Sequence, residues 1–220
     1  MTTSFVAVAS AESNTLAMPS HQAGDLLLLF VFRNTSSTAI TAPSGWFPVG
    51  TRTANSKASG VYGKVASSGV ETSGTWTNAE FIACAVYRDN LNYLLPGENS
   101  SGGGAATTTI AYNALTTSMR GTHYVAGFVA GSVNNSDINT APTGMMTRGS
   151  LAGASVAEIA VHDTNGNVSS WATTNYTASV SQTFHSYVVE LWDTGIAKSS
   201  GSGLSPSLIN SQALVRGIVI

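Results

Sequence analysis

The residues of this 220-residue chain best suited to acid–base or metal chemistry are four histidines, His21, His123, His162 and His185. No two of them stand at a ligand spacing such as HxH or HExxH. His123 and His185 open apolar runs and His162 closes one, the pattern of strand-end histidines that hold no metal. The stretch DTNGNVSS, Asp163 to Ser170, places Asp163, Asn165 and Asn167 at alternate positions, as a calcium loop does. A calcium loop also wants glycine at its sixth position and glutamate at its twelfth, where this chain has Val168 and Thr174. A tight Asn-Gly turn between two strands is therefore expected there. Glycoside hydrolysis needs two carboxylates across a cleft. Glu71, Glu80, Glu98, Asp137, Glu158 and Glu190 are spread singly, and no local motif pairs them. Neither a GxSxG elbow nor a P-loop occurs. Cys84, the single cysteine, lies in the apolar run FIACAVY and reads as a small buried strand residue. These residues assign no catalytic group, no metal ligand and no cofactor.

Aromatic residues offer a different chemistry. Trp46, Trp76, Trp171 and Trp192, with Tyr62, Tyr87 and Tyr176, could stack against sugar rings. Trp76 and Trp171 sit among serines and threonines and are the candidate carbohydrate contacts. Four of these aromatics recur at equivalent places in two halves of the chain, so packing ranks above sugar binding.

The elements that must position these residues are strands. Charged residues make up 9% of the chain, and polarity comes from Ser, Thr, Asn and 22 glycines. The long charged helix formers are nearly absent, while β-branched and aromatic runs alternate with Gly/Ser/Asn clusters. Strands are predicted near Phe5–Ser10, Asp25–Phe32, Phe47–Arg52, Val61–Ala66, Thr75–Thr77, Phe81–Arg88, Thr107–Tyr112, His123–Ala130, Met145–Ser150, Ser155–His162, Tyr176–Val180 and Ser186–Trp192. DLLLLFVF and FIACAVY are apolar on consecutive residues, as strands are when both faces are covered. Nine basic residues scattered along the chain and a net charge of −2 give no track for nucleic acid. The longest apolar run is too short for a bilayer span, and the N-terminus lacks the basic start of a secretory signal.

The turn TAPSGW at Thr41–Trp46 returns as TAPTGM at Thr140–Met145, each after an apolar strand. Proline fixes an early turn position, and Gly45 or Gly144 supplies positive φ two residues later. The repeat extends further. GVYGKVA from Gly60 aligns with SVAEIAV from Ser155, Trp76 with Trp171, and FIACAVYRD with HSYVVELWD. The expected organisation is one β-sandwich over residues 1–195, with half one about 1–95 and half two about 105–195. The Gly/Ser-rich segment around Gly102–Gly104 is the connector between them. Two tandem small sandwiches are the alternative.

The pattern GDLLLLFVF, TAPSGW, GVYGKVA, GTWT and FIACAVYR, with its weaker second copy, resembles a family of phage-encoded virion proteins. The resemblance covers roughly Phe5 to Asp193. It implies an all-β, jelly-roll-like β-sandwich on a tailed-phage particle, in a tail-fibre, tail-tip or capsid-surface (decoration) protein. The implied function is non-enzymatic and structural, with a contribution to host-surface attachment. A carbohydrate-binding module is the alternative, and a glycan-degrading enzyme stands behind it. The implied location is the virion, assembled in the host cytoplasm. Implied partners are copies of the same chain, other virion proteins and a host-surface glycan, with neither nucleic acid nor membrane insertion.

Residues 196–220 form a linker, SSGSGLSPS, and an apolar tail carrying Leu204, Leu208, Ile209, Leu214, Val215, Ile218, Val219 and Ile220. Low charge and few blocked strand edges favour association. A homo-oligomer such as a trimer, held partly by this tail, is expected, with the tail docking on its own sandwich or on a neighbour's.

Overall fold

The computed structural model describes residues 3–88, 91–95, 105–115, 123–154 and 157–193. The predicted connector glycines and the tail from Leu204 to Ile220 lie outside the described residues. Twelve strands are present, and no helix occurs among the described residues: β1 (Ser4–Ala11), β2 (Leu26–Arg33), β3 (Phe47–Ala54), β4 (Lys57–Val65), β5 (Phe81–Arg88), β6 (Leu91–Leu95), β7 (Thr107–Tyr112), β8 (His123–Gly131), β9 (Met146–Ala152), β10 (Glu158–Val168), β11 (Thr174–Gln182) and β12 (Phe184–Asp193).

The repeat read from the sequence is a repeat of sheets. One sheet runs β1-β5-β2-β4-β3, and the other runs β6-β12-β8-β10-β9 in the corresponding order. All the pairings that build the two sheets are antiparallel. A jelly roll draws each sheet from both ends of its strand sequence. Here each sheet takes its strands from one half, so the strand order does not carry the jelly-roll connectivity that the resemblance implied.

The two sheets face each other over one core. Leu26, Leu28, Phe30 and Phe32 of β2 meet Tyr124, Ala126, Phe128 and Ala130 of β8, with Val61, Val161, Tyr187 and Val189 around them. Shared burial of this kind makes the halves one sandwich. The intervening residues of β2, Leu27, Leu29 and Val31, enter a separate cluster on the sheet's outer face. The unbroken run Leu26–Phe32 is therefore the expected strand with two covered faces.

The halves superpose through strand register. Phe30 lies beside Val61 and Ala83, and Phe128 lies beside Val161 and Tyr187. The Phe30 and Phe128 rings touch across the core at 5.8 Å. Register matches Val61 with Val161 rather than with Val156, which corrects the alignment of GVYGKVA with SVAEIAV. The cause is loop length. β3 and β4 join through Asn55 and Ser56, both at positive φ, while β9 and β10 are joined by the longer stretch 153–157.

Three further expectations are corrected. β6 pairs with β12, so residues 91–95 belong to the second sheet and half one ends before them. Thr75–Thr77 forms no strand, only an isolated bridge between Thr41 and Thr77. The Asn-Gly segment is not a hairpin turn. It is a bulge inside β10, where Asp163 stands opposite Ala126 and Asn167 opposite Tyr124. The repeated turn forms as expected, with Gly45 at φ 88° and Gly144 at φ 87°.

Each outer face has its own cover. On the first sheet, loops bring Trp46, Trp76, Leu16 and Ile40 onto Leu27, Leu29 and Tyr62. On the second, the two-stranded sheet of β7 and β11 brings Ile110, Tyr112 and Ala178 onto Val125 and Val129. Gly127 makes room for this second cover. Register places it where the first sheet has Leu29, and a Cβ on it would meet Tyr112 at 3.0 Å.

Candidate functional site

The sandwich core carries a polar corner that its alternating pattern explains. Ile159, Val161 and Asp163 of β10 share the inward face, two residues apart. The first two enter the core, and Asp163 is delivered to the same side, 0% exposed. Arg148 of β9 answers it. Its Nε donates to Asp163 Oδ2 at 2.7 Å, and the Arg148 side chain is 14% exposed. Its Nη2 donates to Tyr124 OH at 3.1 Å and to Asn165 Oδ1 at 2.7 Å. Asp163 also accepts from the Asn165 N–H at 2.8 Å and from Tyr87 OH at 3.4 Å. The guanidinium lies over the Phe5 ring of β1, 4.3 Å from its centroid.

Charge at this corner is held in place. Burial alone would lower the Arg148 guanidinium, but the hydrogen bond and charge of Asp163 outweigh it and hold it above its ordinary value. Burial, then the Asp163 charge, push the Tyr87 and Tyr124 phenols up, so both stay neutral near pH 7. A groove of about 340 Å³ opens beside Arg148, lined by Thr3, Ser4, Phe5, Tyr124, Arg148, Asn165 and Gly166. The bulge builds its rim: Asn165 sits at φ 51°, a left-handed value that asparagine tolerates.

A second polar cluster joins the sheets elsewhere. The Ser59 hydroxyl of β4 lies 2.6 Å from His185 Nδ1 and 2.7 Å from Tyr187 OH, both on β12. The Ser–His distance suits a nucleophile and base. Yet Ser59 is 4% exposed and His185 0%, and the other imidazole nitrogen, Nε2, makes no hydrogen bond. Burial lowers His185 to about 4, helped by the nearby Arg52 and Lys57 charges. This neutral pair ties the two sheets together.

The sequence-predicted contacts lie elsewhere. Trp76 is 0% exposed and Trp171 6%, so neither offers a face to a sugar, and the packing reading ranked first for these aromatics holds over the candidate carbohydrate contact. Trp76 packs edge-on to Trp46 and Tyr62. Both Trp46 Nε1 and Trp76 Nε1 donate to the Ser73 carbonyl. Trp171 packs in the second cover with Ile110, Tyr112 and Leu115, and its backbone bridges Leu115. The reason is the covers: each tryptophan plugs the outer face of its sheet, and the surrounding serines and threonines are the loop backbone that carries it. His162 is buried beside Tyr112 OH at 2.9 Å. Among the described residues no three His, Cys, Asp or Glu side chains gather as metal ligands. Leu204, Leu208, Ile209, Leu214, Val215, Ile218, Val219 and Ile220 lie outside the described residues.

Arg148 belongs to no motif, and Asp163 stands out in the sequence only as the first position of the calcium-like stretch, whereas in the fold it meets a guanidinium. The available signal was the inward period of Ile159 and Val161, which ends on a carboxylate. Comparison with protein-family models, curated proteins and solved structures gave no match to the chain.

Proposed function

We propose that the chain is a non-enzymatic structural component of a tailed-bacteriophage particle, displayed on a tail fibre, tail tip or capsid surface and contributing to host attachment. The observation that carries this reading is the identity of the residues behind the resemblance. Leu26–Phe32, the turn Thr41–Trp46, Trp76 and Phe81–Tyr87 build the frame of the first half, its two cores and its cover. The resemblance is thus one of scaffold, as expected of a protein whose work is to hold a surface in place. Negative-stain imaging of purified particles with a labelled antibody against the chain should decorate one fixed site on each particle. Absence of the protein from virions overturns the proposal.

Self-association belongs to the same reading. Truncation after Lys198 should leave a folded sandwich that sediments as a smaller species than the full chain. Equal sedimentation at equal concentration removes the tail as the assembly element. A carbohydrate-binding module is the second reading. The Arg148 groove favours it, being a concave opening lined by hydroxyl, amide, guanidinium and aromatic groups.

A further inference from the structure

The Arg148–Asp163 pair is not something this kind of sheet requires. Register gives each of its members a counterpart in the other half. β3 and β4 set Gly50 beside Val61, as β9 and β10 set Gly149 beside Val161, so Val49 stands where Arg148 stands. Gly63, beside Leu28, stands where Asp163 stands, beside Ala126. Leu26 stands where Tyr124 stands. The first half thus completes the same corner with valine, glycine and leucine. A buried ion pair is weak evidence of stabilisation, because desolvating two charges offsets their attraction. A pair that the frame can omit, with its Arg148 member at the wall of a groove, points to a ligand.

We infer that this groove binds the carboxylate-bearing ring of an acidic sugar. The inference deepens the attachment reading above and rests on it for its biological setting. The bonds already made define what a ligand must bring. Arg148 uses Nε and Nη2 inside the corner, which leaves the two hydrogens of Nη1. Asn165 is exposed. Its Oδ1 accepts from Arg148, so what its amide has left to offer a ligand is the Nδ2 donor. Thr3 lines the groove with a buried Oγ1 that has no hydrogen-bond partner. A buried hydroxyl without a partner is costly and calls for one. Cationic and amide donors dominate this set, so the ligand supplies acceptors, and a carboxylate supplies the strongest. Asp163 is closed off by its own donors and balances Arg148, which leaves the cation as the outward partner. The groove, about 340 Å³, is at the small end of ligand sites and suits one sugar ring. The exposed Ser4 hydroxyl beside it matches a ring hydroxyl.

The test is an amide-resolved NMR titration of the full chain with glucuronate and, separately, with N-acetylneuraminate. Glucose, acetate and a glutamate-containing dipeptide serve as comparison ligands. Saturable shifts at Ser4, Asn165 and Gly166 are expected with at least one of the two acidic sugars, with each comparison ligand binding about tenfold weaker or worse. Asn165→Gly keeps the left-handed backbone without strain and should weaken the acidic sugar about tenfold. Thr3→Val should weaken it a few-fold. The inference is overturned by the absence of saturable shifts up to about 10 mM for both acidic sugars. It is equally overturned by glucose, acetate or the dipeptide binding as tightly as they do. Any of these results leaves the particle location standing, since that is decided by imaging.

Discussion

The two sheets share strand order, register and turn chemistry, yet they differ at their covers and at buried polar sites, the Arg148 corner among them. The first sheet is covered by loops, and its two indole N–H groups share the Ser73 carbonyl. The second is covered by an inserted pair of strands, and its Trp171 Nε1 is buried with no partner. At the corner, Val49 and Gly63 face Arg148 and Asp163 across the duplication. The frame is thus indifferent to how an outer face is covered, provided that apolar bulk covers it. Polar groups appear where one half departs from the other, and the departures are where function can be sought.

The largest effect should come from the better-made cover. Trp76→Ala removes a fully buried indole and should cost about 4–5 kcal/mol in denaturant unfolding. Trp171→Phe, which deletes an unpartnered buried N–H, should change stability by less than about 1 kcal/mol. Equal losses would mean that the two covers are energetically alike. Next comes the polar corner. Asp163→Asn strips the partner from a buried guanidinium and should cost about 3–4 kcal/mol. The double change Arg148→Val with Asp163→Gly copies the apolar corner and should cost less than the single change. A double variant that is less stable than Asp163→Asn refutes the equivalence of the corners.

Acid should act on both sheets. Burial lowers His162 to about 4 in the second cover and His185 to about 4 between the sheets. Between the ordinary histidine value of about 6.5 and about 4 the unfolded chain takes up protons that the folded chain refuses. Stability should therefore fall as pH drops through that window, by about 2–3 kcal/mol per histidine. Since register places His162 where the first sheet has Tyr62, His162→Phe should flatten the profile measured by thermal unfolding between pH 7 and 4. The most symmetrical effect is also a small one. Gly45 and Gly144 share the same positive φ, and a Cβ on either would touch nothing closer than 3.7 Å. Gly45→Ala and Gly144→Ala should each cost about 1 kcal/mol, from backbone strain alone. A large gap between the two would show that the turns are not equivalent.

Legibility in the sequence followed the range of the interaction. Leu26–Phe32 announces a two-faced strand because seven consecutive apolar residues need cover on both sides. The repeated turn was readable because proline and glycine act locally. β6 was hidden, since Leu91–Leu95 runs into a Gly-rich connector and finds its partner in β12, far along the chain. The Asn-Gly signal was real, but only the pairing of β10 with β8 decides between hairpin and bulge. Trp76 and Trp171 each pack in the outer cluster of their own sheet, and their burial depends on which segments fold over them. The Arg148–Asp163 pair depends on β9 lying against β10 across that bulge, which no short window contains.

The contact between Phe30 and Phe128 carries one more consequence. In an isologous dimer, a residue on the symmetry axis meets its own copy. Phe30 meets its register counterpart, and β5 touches β10 as β4 touches β12, so the centre of the interface is self-complementary, while at its edge β1 reaches β9 and β10. The chain is organised as a homodimer written into a single polypeptide. Covalent fusion frees each copy from having to remain identical to the other. One corner could then acquire charge while its twin stayed apolar, a divergence that a dimer of two identical subunits cannot make.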